Sequence, residues 1–429
     1  VALTDKFMEA VSKGGKYELI NPRSKEVVAE EDAAEIFSMI VEHAWKNGDP
    51  GIVFIDRINR DNPTPNMGEI ESTNPCVTGD ALVSTEYGLM RMKDLAELYP
   101  SGGISVFSDE AVLEANGGNT AVAIRRKCKL TEISAAFKSG IRKVYRITTG
   151  AGYEIEVTDD HKIYTARGWV RAGELKVGED RVFIQPQEGY FGSDYSLPFE
   201  VVKEVKGKNG RTYRSRLPEK WSVELAELLG YAVGDGWLIE NGGNKRFGLT
   251  FGSGDMDVMS YFMKIMGSFY GREIKPVKRK DSVYHLSYHS GLITDFFSRL
   301  GLSSEKAGDK TVPEGVFRAP GDIVRGFLRG LFSADGTIAD AGGSRRYVRL
   351  ASKSLKLLKD TQRLLLNLGI ISRIYDRSRP ERTGFKYTDK SGKKKEYKLD
   401  GILYELNISR QSMKRFLESV GFLNERHKK

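Results

Sequence analysis

Gly230-Tyr231-Ala232-Val233-Gly234-Asp235-Gly236 recurs one hundred residues later as Gly330-Leu331-Phe332-Ser333-Ala334-Asp335-Gly336. A short small-residue motif can repeat by accident, but here the flanks agree as well. Each copy precedes a helical stretch ending at a glycine, Met256 to Tyr270 before Gly271 and Leu355 to Leu368 before Gly369, and then a basic, strand-like segment. Two copies of one unit are expected. Leading into the motifs, small residues recur every fourth position: Gly230 with Gly234, and Gly326 with Gly330 and Ala334. Four-residue spacing falls on one helix face, so each segment predicts a helix with a bald stripe, and two such helices can pack backbone to backbone. That packing would bring Asp235 and Asp335 to neighbouring positions at the foot of the pair.

The surrounding charge is uneven. Residues 221 to 429 hold 37 Lys and Arg against 24 Asp and Glu, whereas residues 1 to 220 hold 30 against 34. A basic excess confined to one half points to a polyanion partner such as DNA docking there. At 429 residues the chain is long enough for about three domains. No apolar run approaches the roughly 20 residues that cross a bilayer, and the start lacks an export signal, so no membrane association and a cytoplasmic location are expected. Cys76 and Cys128 cannot form a disulfide framework, and Cys128 reads as structural.

Upstream of the repeat the texture changes twice. From Cys76 to about Phe183, short β-branched runs such as Val144 to Thr149 and Tyr153 to Thr158 alternate with glycines, with almost no helical periodicity, and predict an all-β domain. Residues 184 to 220 read as a linker with possible DNA contact. Before Cys76, residues 31 to 46 place Ala33, Ile36, Phe37, Ile40, Val41 and Ala44 on one helix face. The run Ile52-Val53-Phe54-Ile55 then predicts a strand buried on both faces, hence an α/β segment.

The seam lies at Asn74-Pro75-Cys76-Val77-Thr78-Gly79-Asp80. Cys76 opens Cys-x-x-Gly-Asp, followed by Tyr87-Gly88-Leu89; Gly152 to His161 carries Thr158-x-x-His161; and Trp169 to Asp180 follows in order. Together these resemble the N-terminal part of an intein, a self-excising insert with a Hint splicing domain, over residues 76 to 183. The chemistry accounts for the residue types. A thiol can attack the preceding carbonyl to give a thioester, provided that an acid protonates the departing amide nitrogen. Imidazole does so near neutral pH. The resemblance makes Cys76 the nucleophile and His161 its activator, with Thr158 placed to orient the imidazole or the scissile bond. A lone Cys and His so far apart are ordinarily unrelated; the flanking motifs set this pair apart. Inteins end in His-Asn before Cys, Ser or Thr, and none precedes Lys429, so a chain truncated at both ends and unable to complete splicing is expected.

The repeated segments resemble the paired motifs of LAGLIDADG (DOD-type) homing endonucleases, which commonly sit inside inteins. The resemblance implies an α+β fold of two αββαββα units, about 221 to 312 and 320 to 424, acting as a monomer with internal pseudo-two-fold symmetry. An Asp-Gly pair at a helix end can also be a simple cap or turn. In the symmetric setting, Asp235 and Asp335 are expected as Mg²⁺ ligands, because hard cations favour carboxylates and activate water on a phosphodiester. Lys310, in Lys310-Thr311-Val312-Pro313, resembles an assisting lysine that polarises phosphate or tunes the water, against the alternative of a solvated lysine before a turn; Lys353 is a weaker counterpart. Double-stranded DNA would meet Lys275, Lys278, Arg279 and Lys280 in the first unit and Arg373, Arg377, Arg379 and Arg382 in the second. Lys393-Lys394-Lys395 reads as a solvated loop.

Residues 50 to 75 resemble the catalytic barrel of a ribonucleotide reductase large chain, nearest the adenosylcobalamin-dependent class. There an Asn-Pro-Cys-Gly-Glu segment supplies a substrate-binding Asn, here Asn74, and a radical cysteine that would follow the insert. The expected fold class is therefore mixed: an α/β reductase fragment at 1 to 75, an all-β Hint domain at 76 to 183 and an α+β endonuclease at 221 to 429. Its DNA target would be the uninterrupted reductase gene. The competing readings are a DNA endonuclease whose splicing domain has decayed and a non-catalytic DNA- or RNA-binding module.

Overall fold

A computed structural model describes residues 1–21, 26–47, 51–60, 76–115, 122–185, 187–207, 210–241, 244–279, 282–304, 307–340, 346–380, 382–388, 394–399 and 401–425. The chain forms two compact units. The first comprises Val1–Cys76 with Thr158–Lys162 and Arg171–Gly173; the second comprises Val77–Val157, Ile163–Val170 and Glu174–Lys429. Among the described residues no helix is long and apolar enough to cross a membrane.

In the first unit, helices Asp5–Lys13 and Ala33–Asn47 pack around Leu3, Phe7 and Ala33 beside the antiparallel pair Lys16–Ile20 and Val27–Asp32. Thr4 caps the first helix, its hydroxyl accepting from Phe7 N at 3.1 Å. Ile52 to Ile55 depart from the expected doubly buried strand. Only Val53–Phe54 pair, in parallel with Ala2–Leu3, Phe54 is exposed, and Ile55 opens helix Ile55–Arg60. Polar residues from Asp56 onward end the apolar run, and the Asp56 carboxylate accepts from Asp5 N at 2.7 Å.

The β-rich part of the second unit holds a sheet ordered Gly88–Arg91, Leu82–Thr85, Ser105–Ala115, Val122–Glu132, together with the hairpin of Tyr145–Thr148 and Glu154–Val157. It is not purely β. Helix Met92–Leu98 buries Leu95 against Met90, Ile104 and Ala136. At seven residues it spans two turns, too short to show a period in the sequence. Residues 184 to 220 are no loose connector either: Leu197 and Leu217 enter the main core, and Glu204–Lys206 pairs with Thr212–Arg214.

The repeat forms the rest. Helix Val223–Asp235, capped by Ser222, leads into strands Gly236–Asn241 and Asn244–Phe251, helix Met256–Tyr270, strands Val277–Lys278 and Tyr284–Tyr288, and helix Gly291–Arg299. The second copy runs through helix Gly321–Asp335, strands Gly336–Asp340 and Arg346–Ser352, helix Leu355–Asn367, strands Arg373–Asp376 and Tyr404–Ser409, and helix Arg410–Ser419. It also carries an added ribbon of Arg382–Thr388 with Lys394–Leu399. Gly271 and Gly369 stop the equivalent helices with φ of 82° and 69°, a left-handed geometry that only glycine adopts without strain.

Helices Val223–Asp235 and Gly321–Asp335 touch along the small-residue stripe. A Cβ on Gly230 would lie 2.0 Å from the Phe327 carbonyl oxygen, and one on Gly330 would lie 1.9 Å from that of Glu227. The two contacts exchange under the hundred-residue repeat, as a two-fold axis requires. One feature breaks the symmetry. Buried Glu227 accepts from Arg329 at 2.6 Å and from the Tyr261 hydroxyl at 2.5 Å, whereas its repeat counterpart is Phe327. Arg329 also donates to the Val420 carbonyl at 2.6 Å.

Candidate functional site

Two constellations predicted from the sequence assemble. In the first unit, Cys76 N donates to the Thr158 hydroxyl at 3.1 Å, Thr158 N donates to the Cys76 carbonyl at 3.0 Å, and His161 N donates to the Thr158 carbonyl at 3.2 Å. The Thr158-x-x-His161 turn thus grips Cys76 through its backbone and folds the imidazole back, where it hydrogen-bonds the Cys76 backbone. Burial holds the His161 pKa below its ordinary value, partly offset by that bond and by Asp160. The imidazole is therefore neutral near neutral pH. Its Nδ1 is buried and has no hydrogen-bond partner among the described residues. A buried orphan of this kind is uncommon, and it leaves one ring nitrogen open to exchange a proton. Asn74 lies outside the described residues. Cys128 sits on strand Val122–Glu132 and, like Cys76, forms no disulfide.

In the second unit, Asp235 and Asp335 end the paired helices. The close helix approach sets them together: a Cβ on Gly234 would meet Ala334 Cβ at 2.5 Å and Asp335 Oδ2 at 3.1 Å. Burial first, and then the Asp335 charge, push Asp235 up to about 7, with Lys310 pulling the other way. Burial also raises Asp335, again opposed by Lys310. Lys310 is not the solvated lysine of the alternative reading. Its part-buried ammonium donates to the Gly234 carbonyl at 2.5 Å, at the negative end of the helix dipole. Lys353 is exposed. No cluster of three or more His, Cys, Asp or Glu side chains suited to a metal occurs among the described residues, so any cation here must draw on the carboxylate pair, backbone carbonyls and water. The donor set suits a hard divalent ion, whose charge would offset the burial that raises both carboxyls.

The basic residues divide. Lys275, Lys278 and Arg279 are exposed on or beside edge strand Val277–Lys278, while Lys280 lies outside the described residues. Arg373 opens the equivalent edge strand, and Arg373 and Arg377 lie 5.0 and 4.9 Å from the centre of the Tyr375 ring. Arg377 also reaches Glu405 at 3.3 Å, and Arg379 N donates to the Gly401 carbonyl at 2.9 Å. Arg382 starts the added ribbon. Lys394 and Lys395, expected in a loop, belong instead to strand Lys394–Leu399, paired across from Arg382–Thr388; Lys393 lies outside the described residues. Tyr375 and Glu405 went unnoticed in the sequence. The alternation Arg373-Ile374-Tyr375-Asp376-Arg377 was the available signal, since it sends Tyr375 to the same sheet face as both arginines.

Comparison with known proteins separates the two ends of the chain. Residues 1–78 match the family model of the ribonucleotide reductase barrel domain, and residues 322–421 match that of a LAGLIDADG-like domain. Over 76 residues the chain is 51% identical to the vitamin B12-dependent ribonucleoside-diphosphate reductase of Mycobacterium tuberculosis, covering 18% of this chain and 11% of that protein. Over 378 residues it is 25% identical to the replicative DNA helicase DnaB of Rhodothermus marinus, covering 85% of this chain and 33% of the helicase. Over 412 residues it is 23% identical to the ribonucleoside-diphosphate reductase NrdEB subunit alpha of Bacillus subtilis, covering 88% and 35%. The chain thus spans about a third of the length of these last two relatives. Among solved structures, a DnaB intein from Synechocystis aligns at 23% identity over 26% of this chain and 70% of its own, with a TM-score of 0.21. The DNA-bound I-LtrWI LAGLIDADG homing endonuclease aligns at 9% over 48% and 86%, with a TM-score of 0.29. By these matches residues 1–78 are similar to the ribonucleotide reductase barrel domain and residues 322–421 to a LAGLIDADG-like domain.

Proposed function

We propose that this chain is part of a ribonucleotide reductase precursor interrupted at Cys76 by an intein, which begins self-splicing by an N–S acyl shift and carries a site-specific DNA endonuclease. The observation that carries the reading is the grip of Thr158 and His161 on Cys76, made by residues 82 and 85 positions away along the chain. In the shift, Cys76 Sγ attacks the Pro75 carbonyl carbon, a C–S bond forms, the C–N bond to Cys76 breaks, and a proton passes to the departing nitrogen. Thr158 holds that nitrogen's N–H, and a neutral His161 can take the thiol proton and return it to the amine. The breadth of the relatives supports an insert: one span of sequence is shared with a helicase and a reductase, whose activities have nothing in common.

The nuclease reading rests on the buried pair Asp235 and Asp335. Mg²⁺ held there would polarise phosphate and acidify water. Lys310 offsets the pair's charge, and the exposed basic strands of the two sheets suit a duplex carrying the uninterrupted reductase gene. The complete, spliced host would use adenosylcobalamin, a reading supported by its similarity to a vitamin B12-dependent reductase. Incubating the chain with a thiol and weighing the products tests the first activity: fragments ending at Pro75 are expected, and an intact chain refutes a competent site. Metal-dependent cutting of the uninterrupted gene tests the second; binding without cutting would favour the non-catalytic module.

A further inference from the structure

Equivalent helices of the two repeat copies are buried very differently. Aligned at the glycines that end them, Ser260, Lys264 and Ser268 of the first copy are exposed, whereas Leu358, Gln362 and Leu366 of the second are buried. The first helix is amphipathic, as a surface helix should be. The second is covered on its outer side too, and polar groups on that side reach the β-rich part of the same unit, although Gln362 Nε2 also donates to the Ser372 carbonyl of its own copy at 3.2 Å. Gln362 Nε2 donates to the Ala151 carbonyl at 3.0 Å, and Arg363 donates to the Glu154 carbonyl. Lys359 pairs with the Glu154 carboxylate at 2.7 Å, and Ile374 N donates to Ala151 at 3.1 Å. A positive φ of 89° at Gly152 shapes the turn between them.

That turn is the root of strand Glu154–Val157, whose next residue is Thr158. The strand is tied in turn to the residues following Cys76: Val77 bridges Val157, and Thr78 N donates to the Glu156 carbonyl at 3.1 Å. We propose that Arg363 and Gln362, on a helix of the nuclease repeat, are positioning residues for the self-cleavage site, clamping the Ala151–Glu154 turn and so the strand that presents Thr158 and His161. The proposal rests on Cys76 being the nucleophile. It makes the second nuclease copy a structural part of the splicing apparatus, with the first copy free of that duty.

The full chain with Arg363→Ala, Arg363→Lys or Gln362→Leu tests this through two readouts. Thiol-induced scission is followed across pH, and the His161 titration is followed by NMR of labelled histidine, assigned by its loss in His161→Gln. In Arg363→Ala, scission should slow at least tenfold and the His161 midpoint should rise as its burial loosens, with Asp160 the charged neighbour acting on the ring. Arg363→Lys should recover part of both, and DNA cleavage should be unchanged. An unaltered rate and an unaltered His161 midpoint in Arg363→Ala overturn the proposal. If Arg363→Ala fails to fold, Gln362→Leu, of similar volume, carries the same comparison. Should the parent chain show no scission at all, the role of Cys76 fails, while the histidine titration still decides the clamp.

Discussion

Gly330→Ala is the sharpest probe of the helix pair. The added Cβ would sit 1.9 Å from the Glu227 carbonyl oxygen, 2.8 Å from its carbon and 2.9 Å from Tyr231 N. All three are backbone atoms, so no side chain can swing aside. Restoring an ordinary contact of about 3.5 Å requires the helices to part by roughly 1.5 Å. Such overpacking in a rigid interior costs about 3 kcal/mol, which for a domain near 200 residues lowers the unfolding midpoint by roughly 6 to 12 °C. Gly230→Ala, 2.0 Å from the Phe327 oxygen, should behave alike. Gly326→Ala, 3.1 Å from the Val223 oxygen, needs only a few tenths of an ångström and should cost under about 1 kcal/mol. Calorimetry of the three variants, read alongside DNA cleavage, is the assay. Because parting the helices also separates Asp235 from Asp335, cleavage by Gly330→Ala should fall with stability. If Gly330→Ala melts no earlier than Gly326→Ala, the helices are not packed backbone to backbone.

Asp235→Asn or Asp335→Asn should abolish DNA cleavage yet leave thiol scission intact, and Cys76→Ala should do the reverse; a single substitution removing both activities would contradict two separate sites. Asp235 is raised to about 7 from 3.8, so the native state holds a proton that the unfolded chain has lost. Metal-free stability should therefore fall as pH climbs from about 4 to about 7, and Asp235→Asn should flatten that slope in denaturant titrations. Thr158→Val removes the acceptor of the Cys76 N–H, and the loss of a hydrogen bond worth about 1 kcal/mol should slow thiol scission roughly five- to tenfold by mass spectrometry. Arg373→Ala should weaken DNA binding and, if its contact is to phosphate, reduce the salt slope by about one, measured by fluorescence anisotropy.

The repeat was legible because duplication writes the same physical demands twice. A helix needing close approach shows glycine at four-residue spacing in both copies, and a helix needing a left-handed stop shows Gly271 and Gly369. The pairing of Cys76 with His161 was legible only through resemblance, since nothing in local periodicity links residues so far apart. Helix Met92–Leu98 escaped notice because two turns leave no period. Ile52 to Ile55 misled because an apolar tetrapeptide fits a strand or a helix start equally well. The roles of Gln362 and Arg363 were beyond reach: a polar residue on a helix reads as solvent-facing until another part of the chain is seen to cover it.

The interlock of Glu227, Arg329 and Tyr261 has an evolutionary corollary. A pair built from two first copies would bury each Glu227 opposite leucine, since Leu229 occupies the place of Arg329. A pair built from two second copies would strand Arg329 against Phe327. Glu227 is buried and Arg329 only partly so. In the first pairing Glu227 would keep the Tyr261 hydroxyl but lose its countercharge, which leaves a buried carboxylate without a cation. The two halves are thus complementary rather than interchangeable: each favours its counterpart over its own likeness, and a change in one is answerable to the other.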